Sequence, residues 1–168
     1  MTDKKPVDDP AFWRYRLLWA LSHGRGTHTA VYDVDKEEWD AIQNSSKNIL
    51  SLYAFDGIKL LDAGCGVGTL CSYLPKGVKY VGIDISPEMV EVARLSYPLE
   101  DFRVADMRCL PFDTCRFDLA ICRSIRSMVL DNLGQAAWDT MQAELLRVSD
   151  KLIVVEYEDM ANYEVLTL

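Results

Sequence analysis

Residues 59–70 read KLLDAGCGVGTL, and the fold can be worked out from this stretch. An apolar run ends at Asp62, and Gly64, Gly66 and Gly68 follow at intervals of two. Glycine at such positions permits a tight turn and lets a ligand approach the backbone closely. The stretch therefore predicts a strand, a glycine-rich turn and a helix, which together begin an α/β unit of the nucleotide-binding kind.

Three types of nucleotide site begin with a glycine-rich turn, and the spacing separates them. A P-loop ends in Gly-Lys-Ser or Gly-Lys-Thr, and this stretch does not. A dinucleotide site has G-x-G-x-x-G, whose third glycine would stand at Thr69. The carboxylate of Asp62 would repel a pyrophosphate but would suit an ammonium group. These features favour S-adenosylmethionine, which carries an ammonium, a sulfonium, a ribose and an adenine, and no phosphate.

Short, continuously apolar runs recur along the chain, as is typical of strands covered on both faces. Helical patterns separate most of them: Ser86 before Pro87 marks a helix start, and residues 135–148 are amphipathic. This alternation predicts an α/β fold, with a Rossmann-like, mostly parallel sheet and helices on both faces. Residues 163–168 predict a final antiparallel strand after a short turn. The other predicted strands are Ile58–Ala63, Val78–Ile83, Phe102–Ala105, Phe117–Cys122 and Leu152–Val155.

The residues before the glycine-rich turn predict two helices that form an N-terminal cover. The first is expected over Pro10–Leu21, and the second opens at Asp35 with a capping-box pattern. We therefore predict one domain over residues 1–168, with the helical cover in 1–56 and the Rossmann-like core in 57–168. Apolar faces are assigned to Phe12, Trp13, Leu17 and Leu21 in the first helix, and to Trp39, Ile42, Ile49 and Leu52 in the second.

Composition excludes several classes of function. The 168 residues include 18 basic and 26 acidic side chains, a net charge of −8, which makes a nucleic-acid partner unlikely. The five cysteines contain no C-x-x-C pair and the chain has two histidines, so we predict reduced thiols and no metal site. Apolar runs are too short for a membrane span, and no secretory signal opens the sequence, so a cytoplasmic location is expected.

Acidic residues close the next two predicted strands after the glycine-rich turn. Asp84 follows Gly66 by 18 positions, where a carboxylate can accept both hydroxyls of a ribose. Asp106 stands at the end of the third strand, where it could bind the adenine amino group while Met107 packs on the ring. Carboxyl ends of parallel strands meet at one edge of the sheet, which is where open α/β folds bind ligands.

Four stretches in this order, LDAGCGVGTL (61–70), YVGIDISPEMVEVAR (80–94), VADMRCLPF (104–112) and FDLAIC (117–122), resemble the class I S-adenosylmethionine-dependent methyltransferases. The closest resemblance is to the small-molecule branch typified by the methyltransferases of ubiquinone and menaquinone biosynthesis. The resemblance implies S-adenosylmethionine as cofactor, bound by Asp62, Gly64, Cys65, Gly66, Asp84, Ile85, Asp106 and Met107, with Cys65 contributing its backbone; we add Arg123 to this set.

Three features from the end of the fourth strand onward depart from the family pattern. Residues 148–151 replace the usual Lys-Pro-Gly-Gly turn, and only a dozen residues follow the fifth strand, so we expect a shortened C-terminal region. The motif at 122–126 is CRSIR, and not the Asn/Asp-Pro-Pro-Tyr of amino-directed nucleic-acid methyltransferases. The acceptor site is therefore where we expect this chain to differ most from its family.

Candidate catalytic residues are few, since methyl transfer from a sulfonium is a direct displacement that needs a base only when the acceptor must lose a proton. Arg123 and Arg126 could clamp an anionic group of the acceptor, or could hold carbonyls and neighbouring aspartates. His28 could accept a proton near neutral pH, although a loop histidine is more often polar surface. Tyr32 resembles a tyrosine found near the N-terminus in this branch and could contact cofactor or acceptor.

The leading hypothesis is transfer of a methyl group from S-adenosylmethionine to a small-molecule acceptor whose identity the sequence leaves open. The alternatives are a non-catalytic S-adenosylmethionine-binding or partner subunit with the same fold, and a protein or nucleic-acid methyltransferase. An apolar edge strand at 163–168 also suggests a homodimer that covers this edge.

Overall fold

The fold is a six-stranded sheet flanked by helices, seen in a computed structural model that describes residues 8–27, 36–156 and 163–167. The strands are β1 (Lys59–Ala63), β2 (Lys79–Asp84), β3 (Asp101–Val104), β4 (Leu119–Arg123), β5 (Lys151–Val155) and β6 (Tyr163–Thr167). The α-helices are α1 (Pro10–Ser22), α2 (Lys36–Tyr53), α3 (Pro87–Ser96), α4 (Arg126–Asn132) and α5 (Gln135–Val148), and a 3₁₀ helix spans Thr69–Tyr73.

The strand order is β3-β2-β1-β4-β5-β6. Strands β1 to β5 pair in parallel, and β6 pairs with β5 in the antiparallel sense. The sequence prediction of a mostly parallel Rossmann-like sheet with an antiparallel last strand is therefore confirmed. The chain adds strands on one side of β1 and then, from β4 onward, on the other, so a switch point lies between β1 and β4. Open α/β sheets bind their ligands at such a point.

Alternation along the strands builds a separate apolar layer on each face of the sheet. On one face, Leu60, Leu119 and Ile121 pack with Ile49 of α2 and Val90 of α3. Successive strand residues point to opposite faces, so Asp62 and Arg123 lie on this same α2 face. Because both residues are charged and lie at the carboxyl ends of their strands, they become a central feature of the site.

The opposite face of the sheet is covered by α4 and α5. Leu61, Ala120 and Leu152 pack there against Trp138 and Leu145 of α5, all of which are fully buried or nearly so. With α2 and α3 on one face and α4 and α5 on the other, the prediction of helices on both faces is confirmed. None of the helices in the described ranges combines the length and apolar character needed to cross a bilayer.

Helix α1 packs on α3 and on the glycine-rich turn. Trp13, Leu17 and Ala20 are buried there beside Val67 and Met89. The helix begins where the sequence predicts, with Asp9 accepting the N–H of Ala11. The cap predicted at Asp35 for α2 lies outside the described residues.

Two apolar positions assigned to buried helix faces are wrong. Leu21 is 51% exposed, because α1 rests on the rest of the molecule through one narrow stripe. Leu52 is 67% exposed, because it lies about 200° around the helix from the buried Leu50 at roughly 100° per residue. The helical pattern identified the helices correctly but overestimated how much of each surface meets a partner.

Three local elements differ from the sequence expectation. The helix predicted after the glycine-rich turn is only the short 3₁₀ helix Thr69–Tyr73, and α4 has no counterpart in the sequence prediction. The fourth strand begins at Leu119 rather than at Phe117, which makes only an isolated bridge to Ser149. Between them, Asp118 accepts the backbone N–H of Lys59 through its side chain, at 2.8 Å.

The packing of Phe102 against the glycine-rich turn can be tested at Gly68, whose backbone is left-handed. Gly68 has φ 81°, and a Cβ there would lie 2.9 Å from the ring of Phe102. Gly57 has φ 86°, and a Cβ there would meet no atom within 4 Å, so this position shares the backbone strain without the clash. We expect Gly57→Ala to lower the unfolding free energy by about 1 kcal/mol, and Gly68→Ala by about 1–3 kcal/mol more.

Urea denaturation of the two variants measures this difference. Equal losses of unfolding free energy in Gly68→Ala and Gly57→Ala would contradict the close packing of Phe102 on the turn.

Candidate functional site

A cleft crosses the carboxyl edge of the sheet at the switch point and is the candidate site. It lies over the ends of β1, β2, β3 and β4, with α1 and α4 on its flanks. Its lining residues are Asp8, Trp13, Gly64, Gly66, Asp84, Ile85, Met89, Ala105, Asp106, Met107, Arg108, Arg123, Ser124, Ile125, Met128, Val129, Leu133 and Met141.

The glycine-rich turn forms the floor of the cleft and is fixed to β2 by backbone hydrogen bonds. The N–H groups of Gly64 and Cys65 both donate to the carbonyl of Ile83, each at 2.9 Å. Gly64 and Gly66 have φ values of 77° and 53°, which favour glycine, and both line the cleft. The turn therefore brings bare backbone up to the space where a ligand would lie, as the sequence predicts.

Asp84 connects the turn to the start of α3. One carboxylate oxygen accepts the N–H of Gly66 and the other accepts the N–H of Ser86, both at 2.9 Å. Burial raises the pKa of Asp84 above its ordinary value, although these two N–H groups oppose the shift. Each oxygen of a carboxylate has a second lone pair, so Asp84 can still accept hydroxyl groups from the cleft, which it lines.

Asp106 lies at the β3 end of the cleft in a pair with Arg108. The guanidinium donates to both carboxylate oxygens, at 2.7 to 3.0 Å, and these hydrogen bonds lower the pKa of Asp106. Asp8 approaches the same guanidinium at 3.6 Å. This end of the cleft therefore carries a surplus of negative charge, with Asp84 next to it on β2.

Asp62 takes part in a buried polar cluster behind the cleft, which we call the Asp62 cluster: Asp62, Tyr80, Arg123 and Ser46. The Tyr80 hydroxyl donates to Asp62 Oδ2 at 2.8 Å, and Arg123 Nη2 lies 3.9 Å from the same oxygen. Arg123 Nη1 donates to Ser46 Oγ of α2 at 3.0 Å. Burial raises the pKa of Asp62 more than Arg123 and Tyr80 lower it.

Asp62 itself does not line the cleft, and its side chain is about 1% exposed. Its Oδ1 atom is buried without a hydrogen-bond partner in the described part of the chain. Arg123 approaches the other oxygen of Asp62, Oδ2, and also lines the cleft. A buried carboxylate oxygen without a donor is the kind of group that a cationic ligand atom satisfies.

Seven of the nine residues predicted to bind the cofactor line this cleft. The two that do not are Asp62, in its buried cluster, and Cys65, whose N–H is bound to Ile83 and whose thiol pKa is raised well above the ordinary value by burial. The seven that line it are Gly64, Gly66, Asp84, Ile85, Asp106, Met107 and Arg123.

Sequence reasoning missed the residues that the N-terminal segment and α4 contribute. Trp13 reaches the cleft from α1, whereas the sequence favoured a core position for the aromatic residues of the first helix over an aromatic acceptor pocket. Ile125, Met128 and Val129 form an apolar wall, with Leu133 beyond them. The apolar i, i+3, i+4 spacing of 125, 128 and 129 was a usable signal for α4, because it marks one face of a helix.

The candidate catalytic residues are only partly described. His28 and Tyr32 lie outside the described residues. Arg126 lines no part of the cleft: its Nη1 donates to Glu164 of β6 at 2.7 Å, and its guanidinium lies 5.8 Å from the ring centroid of Trp138. Within the described ranges, no cluster of three His, Cys, Asp or Glu side chains could hold a metal ion.

Comparison with known protein families and curated proteins gives consistent matches. The family model described as a methyltransferase domain matches residues 60–151, more than half of the chain. A ubiquinone biosynthesis O-methyltransferase of Bradyrhizobium diazoefficiens is 29% identical over 96 residues, 54% of this chain and 38% of that protein. A demethylmenaquinone methyltransferase of Chlorobaculum tepidum is 39% identical over 61 residues, 35% of this chain and 25% of that protein. The chain thus spans well under half the length of these relatives.

Solved structures match the same fold. The PH0226 protein of Pyrococcus horikoshii has a TM-score of 0.58 at 25% identity, covering 77% of this chain and 65% of that one. A TehB-like SAM-dependent methyltransferase of Corynebacterium glutamicum has a TM-score of 0.58 at 22% identity, covering 87% of this chain and 73% of that one. The second similarity supports the fold alone.

The Asp62 cluster predicts a large difference between two arginine substitutions. Arg123→Met leaves the Asp62 carboxylate buried without its cation, which should lower the unfolding free energy by roughly 3–5 kcal/mol at neutral pH. Arg126→Met removes a partly exposed ion pair with Glu164 and should cost less than about 1 kcal/mol. Denaturant unfolding of both variants measures the contrast.

The pH dependence of this loss has a definite sign. Because the folded-state pKa of Asp62 is raised, the neutral carboxyl is the form that the folded protein tolerates, and stability is lost as pH rises through that pKa. The penalty of Arg123→Met should therefore shrink as the pH is lowered. A penalty that stays constant from neutral to acidic pH would show that Asp62 is not its source.

Proposed function

Because the chain belongs to the methyltransferase domain family, we propose that it transfers a methyl group from S-adenosylmethionine to a small-molecule acceptor. The observation that carries this proposal is the row of strand ends in the cleft. Gly64 and Gly66 present bare backbone, and Asp84 and Asp106 present carboxylates on the two neighbouring strands. When bound, S-adenosylmethionine supplies an electrophilic methyl group on its sulfonium.

The residues of the cleft fit the cofactor at several points. Asp84 has lone pairs for ribose hydroxyls, and Met107 and Ile85 provide apolar surface for the adenine. The orphaned Oδ1 of Asp62 provides an acceptor for an ammonium group, provided that Arg123 shifts to open the way. These are the acceptors and apolar surfaces that a phosphate-free adenosyl ligand requires.

The acceptor side is assigned to the apolar wall formed by α4. Ile125, Met128 and Val129 lie next to the glycine-rich turn, and a Cβ at Gly64 would come within 2.7 Å of the Ile125 side chain. Methionine and isoleucine walls suit an acceptor with an aromatic or aliphatic body. The net charge of −8 also favours a small molecule over a nucleic acid. The similar ubiquinone and menaquinone methyltransferases are consistent with such an acceptor.

The protein's own contribution to the reaction is to align the reactants and exclude water. Trp13 and Met89 close one side of the cleft and the α4 wall closes another, which keeps the acceptor and the methyl group in one dry space. A neutral acceptor atom needs no base. For an acceptor that must lose a proton, His28 and Tyr32 remain the candidates from the sequence.

The proposal is tested by incubating the protein with S-adenosylmethionine and a panel of phenols, quinols and carboxylic acids and measuring release of S-adenosylhomocysteine.

Asp84→Asn should weaken cofactor binding roughly 10- to 100-fold, the range for a hydrogen bond to a charged group. The matched control is Asp101→Asn, which removes an exposed carboxylate paired with Arg103 on β3. Calorimetry with S-adenosylhomocysteine measures both affinities.

The affinity of the wild type for S-adenosylhomocysteine should also fall as the pH is lowered. Only the ionised Asp84 accepts hydroxyls with both oxygens, and its pKa is raised, so binding weakens at a higher pH than an ordinary aspartate would give. Asp84→Asn should remove this pH dependence.

Tight cofactor binding without product from any acceptor would favour the alternative of a non-catalytic binding subunit. Absence of cofactor binding would refute both the methyltransferase proposal and this alternative.

We further propose that the protein forms a homodimer through β6. This strand is the last in the sheet order, and Val165 on it is 38% exposed. In the described part of the chain, helix α1 packs on α3, on the other side of β1, and α2 contacts the start of β6, where the hydroxyls of Tyr53 and Tyr163 lie 3.3 Å apart. An apolar edge strand tends to pair with another edge, and a second copy is the commonest partner.

Light scattering coupled to size exclusion tests the dimer, with an expected mass of twice 19.1 kDa. Val165→Lys should shift the protein to the monomer, because it places a charge from each copy at the shared edge. Leu99→Lys is the control: Leu99 is 96% exposed but lies just before β3, at the opposite edge. A wild-type mass of a single chain at micromolar concentration would refute the dimer.

A further inference from the structure

Ser124 stands in the cleft with a strained backbone and an unused hydroxyl. From this we infer that it donates a hydrogen bond to the carboxylate at the amino-acid end of the cofactor and so selects ligands that carry this group. The inference rests on the proposed function, because it takes S-adenosylmethionine as the ligand of the cleft. It goes beyond it by naming a specificity-determining residue that is not among the site residues expected from the sequence.

The backbone of Ser124 is held in an unfavourable conformation at the end of β4. Its φ is 56°, and in the described part of the chain only Cys115, at 53°, is another non-glycine residue with positive φ. Its N–H donates to the carbonyl of Val155 on β5 at 2.7 Å, which fixes this geometry. A serine at a position where glycine would be less strained is an outlier that motivates the hypothesis of a use for its side chain.

The hydroxyl of Ser124 is buried and has no protein partner among the described residues. The residue is 8% exposed, and its Oγ makes no hydrogen bond within that part of the chain. Ser124 nevertheless lines the cleft, between Arg123 and Ile125. A buried hydroxyl usually finds a hydrogen-bond partner, and a ligand in the cleft that Ser124 lines is the candidate for this partner.

The distribution of charge along the cleft indicates which ligand group meets this hydroxyl. At the β3 and β2 end, Asp106 and Asp84 present acceptors that suit the amino and hydroxyl groups of an adenosine. At the β4 end, Arg123 and Ser124 present a cation and a donor. A carboxylate is attracted to the second pair and repelled by the first, so the charges orient the cofactor along the row.

The length of the row of strand ends in the cleft agrees with this orientation of the cofactor. Strands β3, β2, β1 and β4 are consecutive neighbours, so three spacings of about 4.8 Å separate the first from the last, or about 14 Å. That is comparable to an adenosyl group extended by a four-carbon amino acid. With the adenine at Asp106, the carboxylate reaches the end of β4, and the ammonium lies near Asp62 behind Arg123.

The test compares two ligands that differ only at the amino-acid end, by calorimetry on the wild type and on Ser124→Ala. S-adenosylhomocysteine carries the carboxylate, and 5′-methylthioadenosine lacks the whole amino-acid end. Ser124→Ala should weaken the binding of S-adenosylhomocysteine roughly tenfold or more and leave the affinity for 5′-methylthioadenosine unchanged. Alanine keeps the strained backbone and nearly the same volume, so the variant differs only in the hydroxyl.

Ser124→Gly and Cys115→Gly separate strain from binding. Both substitutions place glycine at a positive φ and should raise the thermal unfolding midpoint, but only Ser124→Gly should lose affinity for S-adenosylhomocysteine. Cys115 is exposed and lines no part of the cleft, which makes it the matched control. A loss of affinity in Cys115→Gly as well would assign the effect to backbone strain and overturn the inference.

Two further outcomes would overturn it. If Ser124→Ala binds S-adenosylhomocysteine as tightly as the wild type, the hydroxyl makes no contact with the ligand. If the affinities for both ligands fall equally, the hydroxyl does not bind the carboxylate. The proposed function fails separately: in that case the wild type itself binds neither ligand.

Discussion

The buried pair of Asp62 and Arg123 holds the site together. With Tyr80 of β2 and Ser46 of α2, this pair connects three strands and a helix near the switch point between β1 and β4, where the strand order reverses. Taking two charges out of water costs more than their attraction returns unless hydrogen bonds complete the arrangement. The raised pKa of Asp62 expresses this cost, because burial outweighs the neighbouring guanidinium.

We propose that this arrangement serves binding rather than stability. Replacing a buried ion pair by apolar residues of similar volume is often neutral or stabilising. The polar one keeps a carboxylate oxygen and a guanidinium within reach of the cleft, and Tyr80 rather than Arg123 makes the short contact to Asp62, 2.8 Å against 3.9 Å. The looser arginine can therefore exchange its partner for a ligand while the tyrosine holds the carboxylate in position.

The cleft itself follows from strand geometry. Parallel strands end at one edge, so polar residues that are far apart in sequence, such as Asp84 and Asp106, meet in one row. Alternation of side chains then decides what each strand end can do: Asp62 and Arg123 point to the α2 face, where helix packing buries them. The left-handed backbone of Ser124 ends this alternation on β4 and places the next residues of the chain along the cleft.

Local chemistry along the chain was enough to predict the glycine-rich turn, the acidic strand ends, the starts of α1 and α3, and the parallel sheet. These features follow from which residues tolerate positive φ, accept backbone N–H groups or alternate in apolar runs. Three other features emerged only once the chain was folded: Asp62 is buried and does not line the cleft, Trp13 and α4 flank the cleft, and Leu21 and Leu52 stay exposed. The physical reason is that burial and pairing depend on which distant surfaces meet, and a pattern along one segment does not contain the position of its partner.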